Sequence, residues 1–280
     1  VAIHSKTFPA WAVISLTANG ILLLAIAWAV LRQSPWSIPF PVSQSVATTR
    51  PLNATPIPTP ELGPRHQLDY QQWVSLLEQE ADVIAEQKPS QLAILLGDSI
   101  SLWFPSELLP PNQKWLNQGI SGETSEGLLN RLEVLDKTQP EIIFVMIGIN
   151  DLIRGVKDDT ILANQRLILR YLHQSHPQTQ VVVQSILPHS GKQATWEGRD
   201  RLLAIPNHRI QDINQRLKAI AQSEGAIYLD LYSLFADSEG NLKTELSTDG
   251  LHLSPQGYLV WHYALQVLNQ LVLDGEFNNT

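Results

Sequence analysis

The sequence predicts an α/β fold: a five-stranded parallel sheet in the flavodoxin-like order 2-1-3-4-5, with helices on both faces and a transmembrane helix at the N-terminus. Two observations predict the sheet and a third the anchor. From residue 68 onward, short apolar runs alternate with segments of helical periodicity, and strands covered on both faces by crossover helices read as continuous apolar runs of this kind. Polar residues suited to catalysis fall just beyond the ends of those runs, where open α/β sheets hold their ligands. Residues 7–31 carry no charge.

The anchor is expected over residues 1–32, where Ile21 to Leu31 is unbroken apolar sequence and a span near 20 apolar residues can cross a bilayer. Lys6 and Arg32 flank it, and Trp11 and Trp28 stand near its ends, as interfacial aromatics do. Ala25-Ile26-Ala27 and Ala27-Trp28-Ala29 also have the small-x-small form of a signal-peptide cleavage site. The expectation is therefore a single helix holding an extracytoplasmic, periplasmic-side domain at the membrane, or a secreted domain if the segment is cleaved. Residues 33–65 hold eight prolines among Ser, Thr, Asn and Gln, the composition of an extended, disordered tether. Residues 66–280 form the folded domain.

In that domain Tyr70 to Gln87 places Trp73, Leu76, Leu77, Ala81 and Ile84 on one helical face. Strands are expected at Leu92–Leu96, Trp115–Asn117, Ile142–Ile147, Val181–Ile186 and Ala226–Leu229, with helices over Glu126–Leu135, Thr160–His173 and Ile210–Gln222 between them. A closing helix starts near Pro255 and carries Tyr258, Leu259, Trp261, Leu265 and Leu268. The formal charge of −8, with no basic stripe, argues against a nucleic-acid partner. The absence of cysteine excludes disulfides, thiolate nucleophiles and Cys-based zinc sites. There is neither a phosphate-cradling Gly-x-x-x-x-Gly-Lys loop nor a cluster of metal-binding carboxylates, so no metal or cofactor is expected.

The first strand runs into Leu95-Leu96-Gly97-Asp98-Ser99-Ile100-Ser101, a small turn that makes Ser99 a candidate nucleophile. Asp98, Ser99 and Ser101 are also ordinary helix N-cap types, so the turn decides nothing by itself. Three further pieces follow in chain order: Asn117-Gln118-Gly119-Ile120-Ser121-Gly122, Gly148-Ile149-Asn150-Asp151 and Asp249-Gly250-Leu251-His252-Leu253-Ser254. A serine hydroxyl needs a base in hydrogen-bond reach and a third group to orient that base; His252 and Asp249 fit those roles. Acyl transfer also needs fixed donors for the developing oxyanion, which the Gly119 N–H and the Asn150 amide could supply. Each has a plainer alternative, a tight turn for Gly119 and an Asx-turn for Asn150, but the four pieces in order point to one site. The Gly-x-Ser-x-Gly elbow of another hydrolase fold would need Gly at position 101, where Ser stands.

These residues resemble the SGNH subgroup of the GDSL esterase and lipase family over about residues 91–265. Its four hallmark residues fall on Ser99, Gly119, Asn150 and His252, with Asp249 in the Asp-x-x-His position. The resemblance implies the flavodoxin-like three-layer SGNH sandwich, with Ser99 as nucleophile, His252 as base and Asp249 as orienter. It also implies an oxyanion hole from the Ser99 N–H, the Gly119 N–H and the Asn150 amide. One departure is Ile100 where the family motif has Leu, an apolar exchange that leaves the chemistry intact.

Of the other polar residues, His173 and His176 read as a solvated helix end, His262 as a core or surface histidine and Asp151 as the cap of the helix after Asn150. The long loop from Pro188 to Asn207 holds His189, Lys192, Trp196, Arg199 and Arg201 and reads as a lid or specificity element. Trp103, Phe104 and Trp196 could stack on a sugar, line an acyl slot or simply pack. The functional expectation is a serine esterase working through an acyl-serine intermediate on a small-molecule or glycan ester. Envelope or extracellular carbohydrate esters lead; lysophospholipase or thioesterase action is the alternative within the family. A noncatalytic glycan-binding module on the same scaffold is the alternative outside it. The oligomeric state is not legible.

Overall fold

Asp69 starts the first helix by accepting from the Gln72 N–H at 2.9 Å while the Gln72 side chain accepts from the Asp69 N–H, a reciprocal capping box. In this computed structural model the described residues are 68–273; the expected anchor and tether lie outside them. Among the described residues no helix is long and apolar enough to cross a membrane. The elements are α1 (Tyr70–Gln87), β1 (Leu92–Gly97), α2 (Ser99–Leu102), β2 (Lys114–Gly119), α3 (Ser125–Leu129), β3 (Ile142–Met146) and α4 (Ile149–Ile153). They continue with α5 (Asp158–Ser175), β4 (Gln180–Gln184), α6 (Arg199–Leu203), α7 (Asn207–Ser223), β5 (Ile227–Leu229), α8 (Tyr232–Phe235) and α9 (Pro255–Leu273).

The five strands pair in the order β2-β1-β3-β4-β5, all parallel, as the alternation of runs predicts. Successive strand residues point to opposite faces, and the core divides accordingly. Ile94, Leu96, Ile143, Val145, Val181 and Val183 pack with Ala81 and Ile84 of α1, Ile168 and Leu172 of α5 and Ile213 and Leu217 of α7. Ala93, Leu95, Ile142, Phe144 and Val182 pack with Tyr258, Trp261, Leu265 and Leu268 of α9 on the other side. Two bonds tie α9 to the site end of the sheet: Trp261 Nε1 donates to Gln184 Oε1 at 2.6 Å and the Tyr258 hydroxyl donates to the Ile100 carbonyl at 3.0 Å.

The helix expected over Glu126–Leu135 is broken in two. α3 ends at Leu129, and a 3-10 turn covers Leu132–Leu135. The break serves Arg131, whose buried guanidinium meets Glu123 Oε2 at 2.6 Å and donates to the Gln118 carbonyl at 2.7 Å. A continuous helical pattern hides that local choice, because Arg is an ordinary helix former by propensity.

Candidate active site

Every expected site residue lies at the carboxyl ends of the strands. Ser99 opens α2 directly after β1, with Asp98 as N-cap accepting from the Ile100 N–H at 3.0 Å. Asn150 is the second residue of α4 beyond β3, and Asp249 and His252 sit in the loop before α9. The loop folds on itself: Asp249 Oδ1 accepts from the backbone N–H of Leu251 at 2.9 Å and of His252 at 2.8 Å. Asp249 Oδ2 lies 2.8 Å from His252 Nδ1, and His252 Nε2 lies 3.1 Å from Ser99 Oγ. A carboxylate on Nδ1 holds the ring proton there and leaves Nε2 free to accept from the serine. Hydroxyl, imidazole and carboxylate therefore form one continuous chain.

Burial would raise the Asp249 carboxyl, but the bonds from the His252 ring, the His252 N–H and the Leu251 N–H outweigh it and hold its pKa below the ordinary value. Asp98 has no such compensation. Burial pushes it up to about 7 against the opposing bonds from the Ile100 N–H and its own backbone N–H, and the nearby charges of Asp151 and Glu123 add to the rise.

The oxyanion donors divide differently from the sequence reading. The Ser99 N–H and the Asn150 amide have no protein hydrogen-bond partner among the described residues. The Gly119 N–H does: it donates to Asn117 Oδ1 at 3.0 Å. Asn117 Nδ2 in turn donates to the Ser101 carbonyl at 2.7 Å, fastening β2 to α2. A side chain at 119 would lie 2.5 Å from the Leu102 nitrogen, so this glycine lets α2 pack on the sheet. It is not available as an oxyanion donor, which corrects the sequence assignment. Three residues on, Ile120 to Glu123 closes a turn through Glu123 N–H to Ile120 O at 3.1 Å, with Gly122 at φ +77, the position of a type II turn that requires glycine. The Gly122 N–H is unpaired among the described residues, and its carbonyl accepts from Arg154 at the end of α4 at 2.7 Å. The Ser121-Gly122 pair after a strand is the signal that marks it.

Other expectations are corrected too. Asp151 does not cap its own helix: it reaches across to Ser125, accepting from the N–H at 2.8 Å and from the hydroxyl at 2.6 Å, and so adds to the Thr124 cap at the start of α3. Phe104 is buried edge-on against Tyr258 and Trp261, away from the site. Trp103 stays half exposed, its ring 4.4 Å from that of His252. His176 is buried and, like His173, has a buried Nε2 without a hydrogen-bond partner among the described residues, so at this helix end, where Gln174 and Gln178 are exposed, these two ring nitrogens are not solvated. His262 donates through Nδ1 to the Leu108 carbonyl. The Pro188–Asn207 loop, expected as a lid or specificity element, is fastened by its backbone to the Asp249 loop. Its Ser190 N–H donates to the Gly250 carbonyl at 2.9 Å, and the Thr195 and Trp196 N–H groups donate to the Asp249 carbonyl at 2.8 and 2.9 Å. Buried His189 pins the loop from within, between the Ile205 carbonyl at 2.6 Å and the Gly191 N–H at 3.0 Å.

The model of the GDSL-like lipase/acylhydrolase family matches residues 95–260. No curated protein gives a sequence match. Among solved structures, one named as a platelet activating factor from Streptococcus pneumonia is similar at 25% identity, covering 71% of this chain and 93% of that one with TM-score 0.63. A GDSL-like lipase from Bacteroides thetaiotaomicron is similar at 18% identity, covering 71% and 98% with TM-score 0.60. An acetylxylan esterase from Geobacillus stearothermophilus is similar at 19% identity, covering 64% and 93% with TM-score 0.51.

Proposed function

This chain belongs to the GDSL-like lipase/acylhydrolase family and is a hydrolase acting on ester bonds, and from that premise we propose a serine esterase that works through an acyl-Ser99 intermediate. The observation that carries the reading is the unbroken chain Ser99 Oγ to His252 Nε2 at 3.1 Å and His252 Nδ1 to Asp249 Oδ2 at 2.8 Å. Ser99 Oγ bonds to the acyl carbon as its proton passes to Nε2. The tetrahedral oxyanion is held by the Ser99 N–H and the Asn150 amide, with the Gly122 N–H as third donor. The ester C–O bond then breaks and the proton goes from His252 to the leaving alkoxide. In the second half His252 takes a proton from water, the hydroxide attacks the acyl carbon, and the C–Oγ bond breaks as Ser99 recovers its proton. Asp249 steadies the imidazolium in both halves.

The substrate class is a carbohydrate or other small acyl ester. The fold shared with an acetylxylan esterase is consistent with it, and so is the half-exposed Trp103 beside the base. The uncharged segment 7–31 supports membrane tethering on the extracytoplasmic side as part of the proposal, to be checked by alkaline carbonate extraction of membranes.

The test of the chemistry is a serine-directed fluorophosphonate probe followed by a panel of acetylated sugars, lysolipids and acyl thioesters. Wild type is expected to be labelled on Ser99 and to turn over one of these classes, and Ser99→Ala to do neither. Full activity in Ser99→Ala would remove the nucleophile from the reading.

A further inference from the structure

The triad has two sides, and its geometry says which group of the substrate lies on each. The acyl oxygen must face the donors at Ser99 and Asn150. The leaving oxygen must come within hydrogen-bond reach of His252 Nε2, the atom that protonates it. Whatever that oxygen carries therefore lies beside the imidazole. The aromatic against the imidazole is Trp103, with ring centroids 4.4 Å apart and planes tilted by 42°. Ser99 is only 6% and His252 9% exposed, whereas Trp103 is 50% exposed. Its backbone is fixed: Trp103 closes α2, and its N–H donates to the Ser99 carbonyl at 3.0 Å, so it belongs to the same turn as the nucleophile.

We propose that Trp103 is the alcohol-side specificity determinant: its exposed indole is the platform for a ring carried by the leaving oxygen, a sugar pyranose above all. The inference rests on the acyl-serine reading and goes beyond it by fixing where selectivity is exerted. An indole offers a broad apolar surface with no charge requirement, which suits the C–H face of a pyranose. It adds little for an alcohol as small as methanol. Because the alcohol departs before water attacks, Trp103 acts in acylation and not in deacylation. A residue that merely supported His252 would act in both, since His252 serves both.

The experiment compares two acetate esters that give the same acetyl-enzyme, an acetylated methyl xylopyranoside and methyl acetate, on wild type, Trp103→Ala and Trp103→Phe. Decay of acetyl-Ser99 is followed by rapid-quench mass spectrometry. Trp103→Ala is expected to lower kcat/KM for the xyloside roughly tenfold, in the range for loss of an aromatic contact, to change methyl acetate less than about twofold, and to leave the acetyl-enzyme decay rate unchanged. Trp103→Phe should recover most of the loss. Equal loss on both esters with slower acetyl-enzyme decay would overturn the proposal in favour of support for the imidazole. With the butyrylated methyl xylopyranoside as a third ester, a loss that follows acyl length at constant alcohol would overturn it by placing Trp103 on the acyl side. If wild type hydrolyses these acetates without acetyl-Ser99 forming, the acyl-serine reading itself falls, and if it discriminates no pyranoside ester from methyl acetate the Trp103 proposal alone falls.

Discussion

The Thr195 N–H donates to the main-chain carbonyl of Asp249 at 2.8 Å, so the carboxylate that meets His252 is held from outside its own loop. With the Trp196 N–H beside it and Ser190 N–H on the Gly250 carbonyl, the loop before α6 fixes the backbone that presents Asp249 to His252. Thr195→Pro removes one donor, and the preceding Ala194 is already extended at φ −62 and ψ 138, as a residue before proline must be. The expected result is a roughly tenfold fall in kcat with KM nearly unchanged, in keeping with the sensitivity of catalysis to small displacements of positioned groups. Steady-state kinetics at fixed pH checks it; an unchanged kcat would mean that the loop does not position the Asp249 carboxylate.

Asp249 itself should be needed more for orientation than for folding. In Asp249→Asn one oxygen can still accept from the Leu251 and His252 N–H groups, but the amide NH2 then faces Nδ1 and favours the tautomer with its proton on Nε2. That tautomer cannot accept from Ser99, and kcat should fall about 10³–10⁴-fold with little change in Tm.

Asn150→Ala removes an oxyanion donor that has no structural bond to lose, so kcat should fall roughly 10²–10³-fold while thermal stability stays near wild type. If kcat held while Tm dropped, Asn150 would be a structural residue.

Asp98 predicts a pH-dependent stability. Its folded pKa of about 7 lies above the ordinary value of 3.8, so the folded state holds this proton more tightly than the unfolded chain does. Its contribution is fully present below about pH 4 and is lost as pH rises through about 7. Asp98→Asn keeps an oxygen for the Ile100 N–H without the buried charge. It should therefore be more stable than wild type at pH 8, by up to about 4 kcal/mol from the linkage relation, and should show no advantage at pH 4. Urea unfolding at the two pH values decides it.

The sheet was legible because β1 and β3 are apolar almost throughout and β4 has an apolar Val181–Val183 centre, the mark of parallel strands covered on both faces. The meeting of Ser99, Asp249 and His252 was legible because it is made by side chains whose chemistry is visible in one-letter code. The oxyanion turn was only half legible. Gly119 and Gly122 look alike in sequence, and what separates them is a main-chain N–H taken by Asn117 at one and left open by a positive φ at the other. Asp151 misled for a similar reason: a carboxylate at the start of a helix usually serves that helix, and here its partner, Ser125, comes 26 residues earlier. The Pro188–Asn207 loop read as a lid because its length was visible, whereas the backbone bonds that fasten it to Asp249 leave no trace in side-chain identity.

The bond between Ser99 and His252 spans 153 residues of chain, and this orders events during biosynthesis. The strand that delivers the serine leaves the ribosome long before the loop that delivers the imidazole. A nascent polypeptide halted ahead of residue 249 would carry a hydroxyl with nothing to deprotonate it. On the acyl-Ser99 proposal, hydrolytic competence is thus acquired late, once almost the entire domain has been translated.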